Sequence, residues 1–399
     1  MPRHAGRRGG WEPPIESRSR WVGADFTADC SNRQDFISML PGDIDSPWTM
    51  TRHSPVQLEA PDLSPAHDPG FAEAGARAEQ ALATTPPQLV GEPIRVAKGH
   101  EIRVGTASWT DPTMVRGNVF YPRGVSSAAD RLRYYAEQFP VVEVDSSYYS
   151  LPERATARLW AERTPPGFSF HLKAHALMTG QPTEVARLPE ALIDELPPAL
   201  AERKRIYDKD LPLELYDAVW AHFIDALDPL RDQGKLGGVL LQYPRWFLPT
   251  PANKDLLAES AARLAGIPAT VEFRNHLWFN TPTSTGWTLD MLRDLGLTHV
   301  MVDGPQGLDS SVPLVPAVTN PHLAMMRLHG RRAATWEAAK VPTVERYRYL
   351  YSPKELEPIV PLVEKAAAEA TRTIVFFNNC YGNYGSTNAR EMIRVLSQS

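Results

Sequence analysis

Cysteine is almost absent from this chain of 399 residues, which contains only Cys30 and Cys380. Two cysteines so far apart cannot form the disulfide framework of a small secreted domain, and they do not form a Cys-rich zinc motif. The sequence also lacks any apolar run near the roughly 20 residues of a membrane span, and its start lacks the apolar segment of a signal peptide. These absences predict a cytoplasmic protein with no membrane partner.

The chain also has fewer basic residues than acidic ones, 42 Lys and Arg against 47 Asp and Glu. The formal net charge is -5, and 43% of the residues are hydrophobic. Proteins that bind duplex DNA rely on a basic surface, so the composition argues against duplex DNA as a partner. The hydrophobic content is enough for a large buried core, while the oligomeric state stays open.

Residues 1–98 lack sustained hydrophobic periodicity and are crowded with Pro, Ser, Asp and Arg. Such a composition cannot bury much apolar surface, so it predicts an extension that is mostly disordered or loosely docked. The stretch from Phe71 to Ala83 is the exception, because its pattern suits one helix. We therefore expect the main folded domain to span residues 99–399.

Eight short runs typical of buried strands follow, and most are separated by helical patterns. They are Ile102–Ala107, Val141–Asp145, Phe168–Lys173, Gly238–Gln242, Thr270–Arg274, His299–Asp303, Ala324–His329 and Ile374–Asn378. This alternation predicts an α/β fold, a (β/α)8 TIM-like barrel. Residues 304–321 are rich in Pro, Gly and Ser, so one outer helix is expected to be missing. Residues 178–235 form a long helical insertion between the third and fourth strands.

Charged residues inside the predicted strands indicate a site. In the fifth strand Glu272 and Arg274 share one face, because side chains of a strand alternate with a period of two. The same parity places further polar residues on that face, namely Glu143, Asp145, His171, Lys173, Gln242, His299, Asp303, Arg327, His329 and Asn378. Active sites of such barrels lie at the carboxyl ends of the strands, so this pattern predicts a ligand site there. The alternative is a buried ion-pair network that only satisfies itself.

Aromatic and glycine-rich loops follow the strands and suggest the kind of ligand. The aromatic residues after the strands are Trp109, Tyr148, Tyr149, Tyr243, Trp246, Trp278, Trp336, Tyr381 and Tyr384. A rim of flat rings above a polar floor suits a sugar or a nucleobase. The loops at Arg331 and at Asn379 combine Gly with polar donors, which is typical of anion-binding loops.

Several of these segments also resemble a known family. The matching motifs are Gly105–Trp109, Phe120–Pro122, Val142–Pro152, Leu241–Pro244, Val271–Arg274, Arg327–Arg331 and Phe377–Asn379. From Val104 to Leu396 the sequence is similar to the domain-of-unknown-function-72 family, also called YecE-like. The resemblance implies a TIM-like barrel and no established reaction. The chain departs from the family pattern at Asp145, Tyr148 and Gly180.

The enzyme hypothesis assigns a role to each predicted site residue. Glu272 or Glu143 is the general acid or base, and His329 or His171 is the second proton carrier. The residues assigned to clamp or orient the ligand are Arg274, Arg327, Lys173, Gln242 and Asn378. The expected reaction is catalysed by a hydrolase, lyase or isomerase acting on a phosphorylated or sugar-like substrate.

Two alternatives to this hypothesis stay open. A non-catalytic ligand sensor could use the same residues, because ligand binding needs the cations but no acid and base. The pocket also suits a protein that binds or processes single-stranded nucleic acid by inserting one nucleotide among the aromatic rings. The enzyme hypothesis also leaves room for a divalent metal held by Glu143, Asp145, Glu272 or His329, although the pattern assigns no definite cofactor.

Overall fold

A computed structural model describes residues 69–117 and 119–398 of the chain, so most of the predicted extension, residues 1–68, lies outside the described residues. The strands are β1 (Ile94–Arg95), β2 (Glu101–Ala107), β3 (Val141–Val144), β4 (Ser169–Lys173), β5 (Thr183–Glu184), β6 (Arg205–Ile206), β7 (Leu236–Gln242), β8 (Ala269–Glu272), β9 (Thr298–Asp303), β10 (Leu323–Leu328) and β11 (Arg372–Phe377).

Eight of these strands form a closed parallel barrel in the order β2, β3, β4, β7, β8, β9, β10 and β11. The barrel closes because β2 pairs with β11 on one side and with β3 on the other. Each of these strands lies where the sequence predicts one, with ends that differ by two residues or fewer. The predicted TIM-like barrel is therefore confirmed.

Helices connect most of the barrel strands and cover their outer faces. They are α1 (Gly70–Thr84), α2 (Pro112–Gly117), α3 (Ala128–Gln138), α4 (Arg154–Glu162), α5 (Glu190–Asp194), α6 (Pro198–Ala201), α7 (Leu213–Asp232), α8 (Pro251–Arg263), α9 (Pro282–Asp294), α10 (Ala333–Trp336), α11 (Thr343–Arg346), α12 (Pro353–Leu356), α13 (Val360–Glu369) and α14 (Tyr384–Leu396). Among the described helices, none combines the length and the hydropathy that crossing a membrane requires.

Local sequence signals explain where several helices begin. Ser127 accepts a hydrogen bond from the backbone of Asp130 at the start of α3, and Thr281 and Ser284 form a capping box at the start of α9. Such caps satisfy backbone N–H groups that the first helical turn leaves without partners. No helix lies between β9 and β10, which confirms the irregular connection predicted there.

The insertion between β4 and β7 has two parts. Its first part contains α5, α6 and the two-stranded antiparallel pair β5 and β6. Its second part is α7, which packs against α4 and buries Trp220 and Phe223. Because α7 covers the barrel wall, it is the regular outer helix of this βα unit, and only residues 174–212 are added to it.

Helix α1 packs along α14, the last helix of the barrel. Ala74, Ala78 and Ala81 recur at helical spacing and are buried in this contact. Between them, Arg77 donates two hydrogen bonds of 2.8 Å to the Glu391 carboxylate and a third to a backbone carbonyl. Small residues let the two helices approach closely, and one ion pair fixes their register.

We expect Arg77→Ala to lower the free energy of unfolding by about 1.5–3 kcal/mol, because it leaves the Glu391 carboxylate, whose side chain is 8% exposed, without its ion-pair partner. Chemical denaturation of the full chain measures this change. Arg133→Ala is the matched control, since Arg133 forms an ion pair with Asp130 in which both side chains are about half exposed. Equal losses for the two variants would show that the α1 contact contributes no specific stability.

Candidate active site at the carboxyl end of the barrel

Arg327 of β10 lies at the centre of a buried charge cluster inside the barrel. Its Nη2 donates to Glu143 Oε1 on β3 at 2.6 Å, and its Nη1 donates to Glu272 Oε2 on β8. All three side chains are completely buried. One guanidinium thus bridges two carboxylates that come from opposite parts of the barrel wall, as the shared-face prediction requires.

A second layer lies above Glu272 and surrounds the His329 imidazole. Arg274 donates to Glu272 through Nε and to Gln242 Oε1 through Nη2, the latter at 3.2 Å. The same Nη2 lies 3.2 Å from His329 Nε2, and the Asn378 amide lies 2.8 Å from His329 Nδ1. Five predicted site residues therefore form one connected network around Glu272, Arg327 included.

Lys173 and Asp145 form the more open side of the cluster. Lys173 Nζ lies 3.0 Å from Asp145 Oδ1 and 4.5 Å from the centre of the Tyr148 ring. The Asp145 side chain is 31% exposed, so this ion pair is the part of the cluster that solvent reaches. Tyr148 is held in place by a hydrogen bond of 2.9 Å from its hydroxyl to Gln181, a residue that the sequence analysis missed.

Aromatic side chains from the segment between β10 and β11 cover another side. The Arg274 guanidinium lies 5.2 Å from the Trp336 ring, a distance suited to a cation–π contact. Tyr347 packs edge-on against Trp336 and lies 6.0 Å from the His329 ring. Tyr347 was missed by sequence reasoning because it follows short helices without a clear period.

The two buried glutamates have opposite electrostatic surroundings. Burial raises the pKa of Glu143, and the single guanidinium of Arg327 does not offset that effect. Burial also acts on Glu272, but the charges of Arg274 and Arg327 outweigh it and hold the pKa of Glu272 well below 4.5. At neutral pH Glu272 is therefore a carboxylate, while Glu143 is the one that retains a proton more readily.

His329 is neutral at physiological pH. Burial and the neighbouring Arg274 lower the pKa of its imidazole to about 3. Burial disfavours the charge on Lys173, but Asp145 outweighs it, so the pKa of Lys173 is raised and its ammonium stays charged. The cluster thus contains three cations, three carboxyl groups and one neutral imidazole.

Two polar atoms at the centre have no hydrogen-bond partner. Glu143 Oε2 and Arg327 Nε are both buried, and neither meets a donor or acceptor among the described residues. A buried polar atom without a partner costs free energy unless water or a ligand satisfies it. A further group is therefore expected to bind at Glu143 Oε2.

Other predicted site residues lie outside this cluster. Asp303 faces the outer side of the sheet, because Val302 and not Asp303 pairs in register with Arg327. Asp303 instead holds Arg331 at 2.8 Å and accepts a hydrogen bond from Tyr351. The prediction that Asp303 shares the face of Glu272 is thus wrong, and Arg331 is positioned by that outer carboxylate.

The same correction applies to His299, whose Nε2 lies 3.1 Å from the Val315 carbonyl and whose ring contacts Phe279. Two tryptophans expected at the rim are packing residues. Trp109 packs against Trp160 and Phe170, and Trp278 stacks on Phe273 and donates its ring N–H to a backbone carbonyl. Their indoles fill gaps between the barrel and its helices.

Asn379 is also turned away from the cluster, because its amide donates to the Tyr349 carbonyl and to Asn388. His171 does point into the barrel, but it lies below the charge cluster, against Phe376. Burial and two arginines at the other end of the barrel lower the pKa of His171 to about 3. Neither residue is placed to contact a ligand at the barrel mouth.

No group of three or more His, Cys, Asp or Glu side chains within the described ranges is arranged to hold a metal ion. Glu143, Asp145 and Glu272 each form an ion pair with Arg or Lys, so a divalent ion would have to compete with those cations for the carboxylates. The donor set of the cluster therefore suits an organic ligand better than a divalent metal.

Comparison with known proteins places this barrel in a family. A family model described as a protein of unknown function, DUF72, matches residues 103–399. The chain belongs to the DUF72 family. A curated relative, the UPF0759 protein YunF of Bacillus subtilis (strain 168), is 29% identical over 298 residues, which are 74% of this chain and 94% of the relative.

Solved structures of DUF72 proteins have the same fold. One from Enterococcus faecalis V583 is 26% identical, with a TM-score of 0.57, over 75% of this chain and 99% of that chain. Another from Thermotoga maritima MSB8 is 27% identical, with a TM-score of 0.57, over 74% of this chain and 98% of that chain. The DUF72 match begins within β2, so α1 and β1 precede the matched region.

Proposed function

We propose that the mouth of this DUF72 barrel binds a small polar or anionic ligand with a sugar-like or nucleobase-like ring and acts on it by acid/base chemistry. The observation that carries the proposal is the pair of fully buried carboxyl groups that share Arg327 while their surroundings drive their pKa values apart. A carboxyl group that keeps its proton beside one that stays ionised is a pattern of catalytic sites, in which the first donates a proton and the second fixes the surrounding charges.

Glu143 is the proton donor in this proposal. Its raised pKa keeps a proton available nearer to neutral pH, and its Oε2 is the carboxyl oxygen without a partner. Glu272 is less suited to proton transfer, because Arg274 and Arg327 occupy both of its oxygens. Its role is to position Arg274 and His329.

The neutral imidazole of His329 is assigned as the proton acceptor, although a pKa of about 3 makes it a weak base. In the proposed step, Glu143 donates a proton to the departing oxygen of the ligand, and His329 removes one from water or from the ligand itself. This exchange leaves the total number of protons unchanged and serves hydrolysis, elimination or isomerisation. Arg274 and Lys173 stabilise the negative charge that develops on oxygen.

Charge alone does not select the ligand. When Glu143 is ionised, Arg274, Arg327 and Lys173 are matched by three carboxylates, and when Glu143 holds the proton that it donates, the surplus is a single positive charge. Recognition is therefore expected to depend on hydrogen bonds and on the faces of Tyr148, Tyr347 and Trp336. A phosphoryl group would bind by taking the place of the partly exposed Asp145 beside Lys173.

A non-catalytic binding role is the second candidate function. It is favoured by the ion pairs of Arg274 and Arg327 with Glu272, which already hold both guanidinium groups in place. Guanidinium groups held in this way can bind a ligand without any proton transfer. The two functions share one site and differ only in turnover.

A thermal-shift screen of the full chain identifies the ligand class. The panel contains sugar phosphates, free sugars, nucleotides and short single-stranded oligonucleotides. A ligand at about 100 times its dissociation constant stabilises the folded state by about 2.7 kcal/mol, which raises the melting temperature by several degrees. An oligonucleotide as the only hit, with salt-sensitive affinity, would favour nucleic-acid binding over the proposed small ligand.

With a hit in hand, Glu143→Gln is the decisive variant. We expect turnover to fall by about 10²- to 10⁴-fold while ligand affinity changes little, because the amide keeps the shape and loses the proton. Glu259→Gln, which changes a half-exposed carboxylate on α8, is the control. A bound ligand that is never converted, even by the wild type, would leave the binding role and exclude the catalytic one.

A further inference from the structure

Three arginines surround a single carboxylate at the other end of the barrel, where the strands begin. Glu101 accepts hydrogen bonds from Arg103 Nε at 2.7 Å and from Arg372 Nε at 2.8 Å. It also lies 3.2 Å from Arg95 Nη1. Three positive charges and one negative charge leave this cluster with an excess of two positive charges.

The strand pairing explains why the arginines converge. At this end β1 pairs antiparallel with β2 and places Arg95 opposite Glu101, while β3 meets β2 only higher up, at Thr106 and Ala107. On the other side of β2, Arg372 of β11 pairs in register with Glu101. The excess charge is therefore built into the barrel wall.

A cavity of about 600 Å³ opens beside this cluster. Arg95, Glu101 and Arg372 line it, and its further polar lining residues are Asn320, His322 and Thr371. The side chains of Arg95 and Arg372 are 71% and 39% exposed, so their remaining N–H groups are accessible from the cavity. Its volume lies in the range of small-molecule sites.

One buried polar side chain lies directly behind the cavity wall. Gly237 lines the cavity, and a Cβ at this position would lie 2.3 Å from His171 Nε2. Both ring nitrogens of His171 are buried without a hydrogen-bond partner among the described residues. Gly237 therefore lies against both the cavity and an imidazole whose hydrogen-bonding capacity is unused.

We infer that this cavity is a second ligand site, which binds a small multiply charged anion of the phosphate class. Guanidinium groups present forked N–H donors that match phosphate oxygens, and two arginines with a shared surplus of charge favour a dianion over a monoanion. The site lies at the opposite end of the barrel from Glu143 and Glu272, so it does not depend on the function proposed for the mouth.

Calorimetric titration of the full chain with pyrophosphate tests this inference. The wild type is compared with Arg95→Gln and Arg372→Gln, and with Arg158→Gln, which changes an exposed arginine on α4, as the matched control. We expect each cavity variant to weaken binding by about tenfold or more and the control to leave it unchanged, because one charge-assisted contact is lost in each cavity variant only.

Thermal melting confirms that each variant is folded, and the high exposure of Arg95 makes its substitution the safer one. Three results would overturn the inference. They are the absence of pyrophosphate binding to the wild type, equal weakening in the Arg158→Gln control, and unchanged affinity in both cavity variants, which would assign any binding to another part of the protein.

Discussion

Replacing Arg327 with Met is expected to lower the free energy of unfolding by about 3–5 kcal/mol at neutral pH. Met has a similar volume but no charge, so the variant leaves Glu143 and Glu272 buried without their shared partner. Removing one member of a buried ion pair is costly because the remaining charge stays desolvated. Equilibrium unfolding in denaturant measures the loss.

The pH dependence of this loss identifies its cause. Without the guanidinium, the folded-state pKa values of Glu143 and Glu272 rise, and the folded state then binds protons more tightly than the unfolded state. The deficit of the variant should therefore shrink as the pH falls through those raised values. Arg133→Met, at an exposed ion pair, is the control. A loss of under about 1 kcal/mol would mean that the cluster is hydrated and not desolvated.

Glu272→Gln and Glu143→Gln should differ in stability although both remove a buried carboxylate. The pKa of Glu272 lies well below 4.5, so its stabilisation is fully present above pH 4.5 and is lost as the pH falls towards its folded-state pKa. Glu272→Gln removes that stabilisation and leaves Arg274 without its carboxylate, at a cost of about 3–5 kcal/mol near neutral pH.

Glu143 behaves in the opposite way, because its pKa is raised. Its ionised form opposes folding above that pKa, so Glu143→Gln should cost less than about 1.5 kcal/mol near neutral pH. Denaturant unfolding of both variants between pH 4 and pH 8 checks the difference between the two stability losses, which should narrow as the pH falls through the raised pKa of Glu143 and then towards that of Glu272. If the two variants lost equal free energies of unfolding at all pH values, the opposite pKa shifts of Glu143 and Glu272 would be contradicted.

The barrel could be predicted because its signals are local and repeated. Each strand is a short apolar run between turn residues, and the helices α3, α8 and α9 begin at a capping side chain, as Thr281 shows for α9. The missing helix between β9 and β10 could also be predicted, since residues 304–321 have no helical period. These features depend on neighbours in sequence and need no knowledge of distant contacts.

Much of the charge cluster could be predicted from parity, but β9 could not. Glu143, Glu272 and Arg327 share the inner face because each strand alternates and its charged residue falls at an inner position. In β9 the polar residues Asp303 and His299 were assumed to point inwards, whereas Val300 and Val302 do so. Branched aliphatic side chains usually fill the interior of a barrel, which is why Val300 and Val302 of β9 occupy its inner face.

The arginine cluster around Glu101 was missed for a different reason. Glu101 and Arg103 are two residues apart in β2, which is the same signal that Glu272 and Arg274 give in β8. Both residues lie at the amino end of β2, whereas the active sites of such barrels lie at the carboxyl ends, so the pattern did not indicate a site there. The contribution of Arg95 could not be inferred at all, because it depends on the pairing of β1 with β2.

The positions of α1 and β1 have a practical consequence for producing this protein. The family match begins at residue 103, inside β2, so a protein shortened to that boundary would lose both elements and the first residues of a barrel strand. The apolar face of α14 that Ala74, Ala78 and Ala81 cover would then meet water. Exposed apolar faces and unpaired strand edges promote aggregation, so we expect a shortened form of this protein to need residues 70–102.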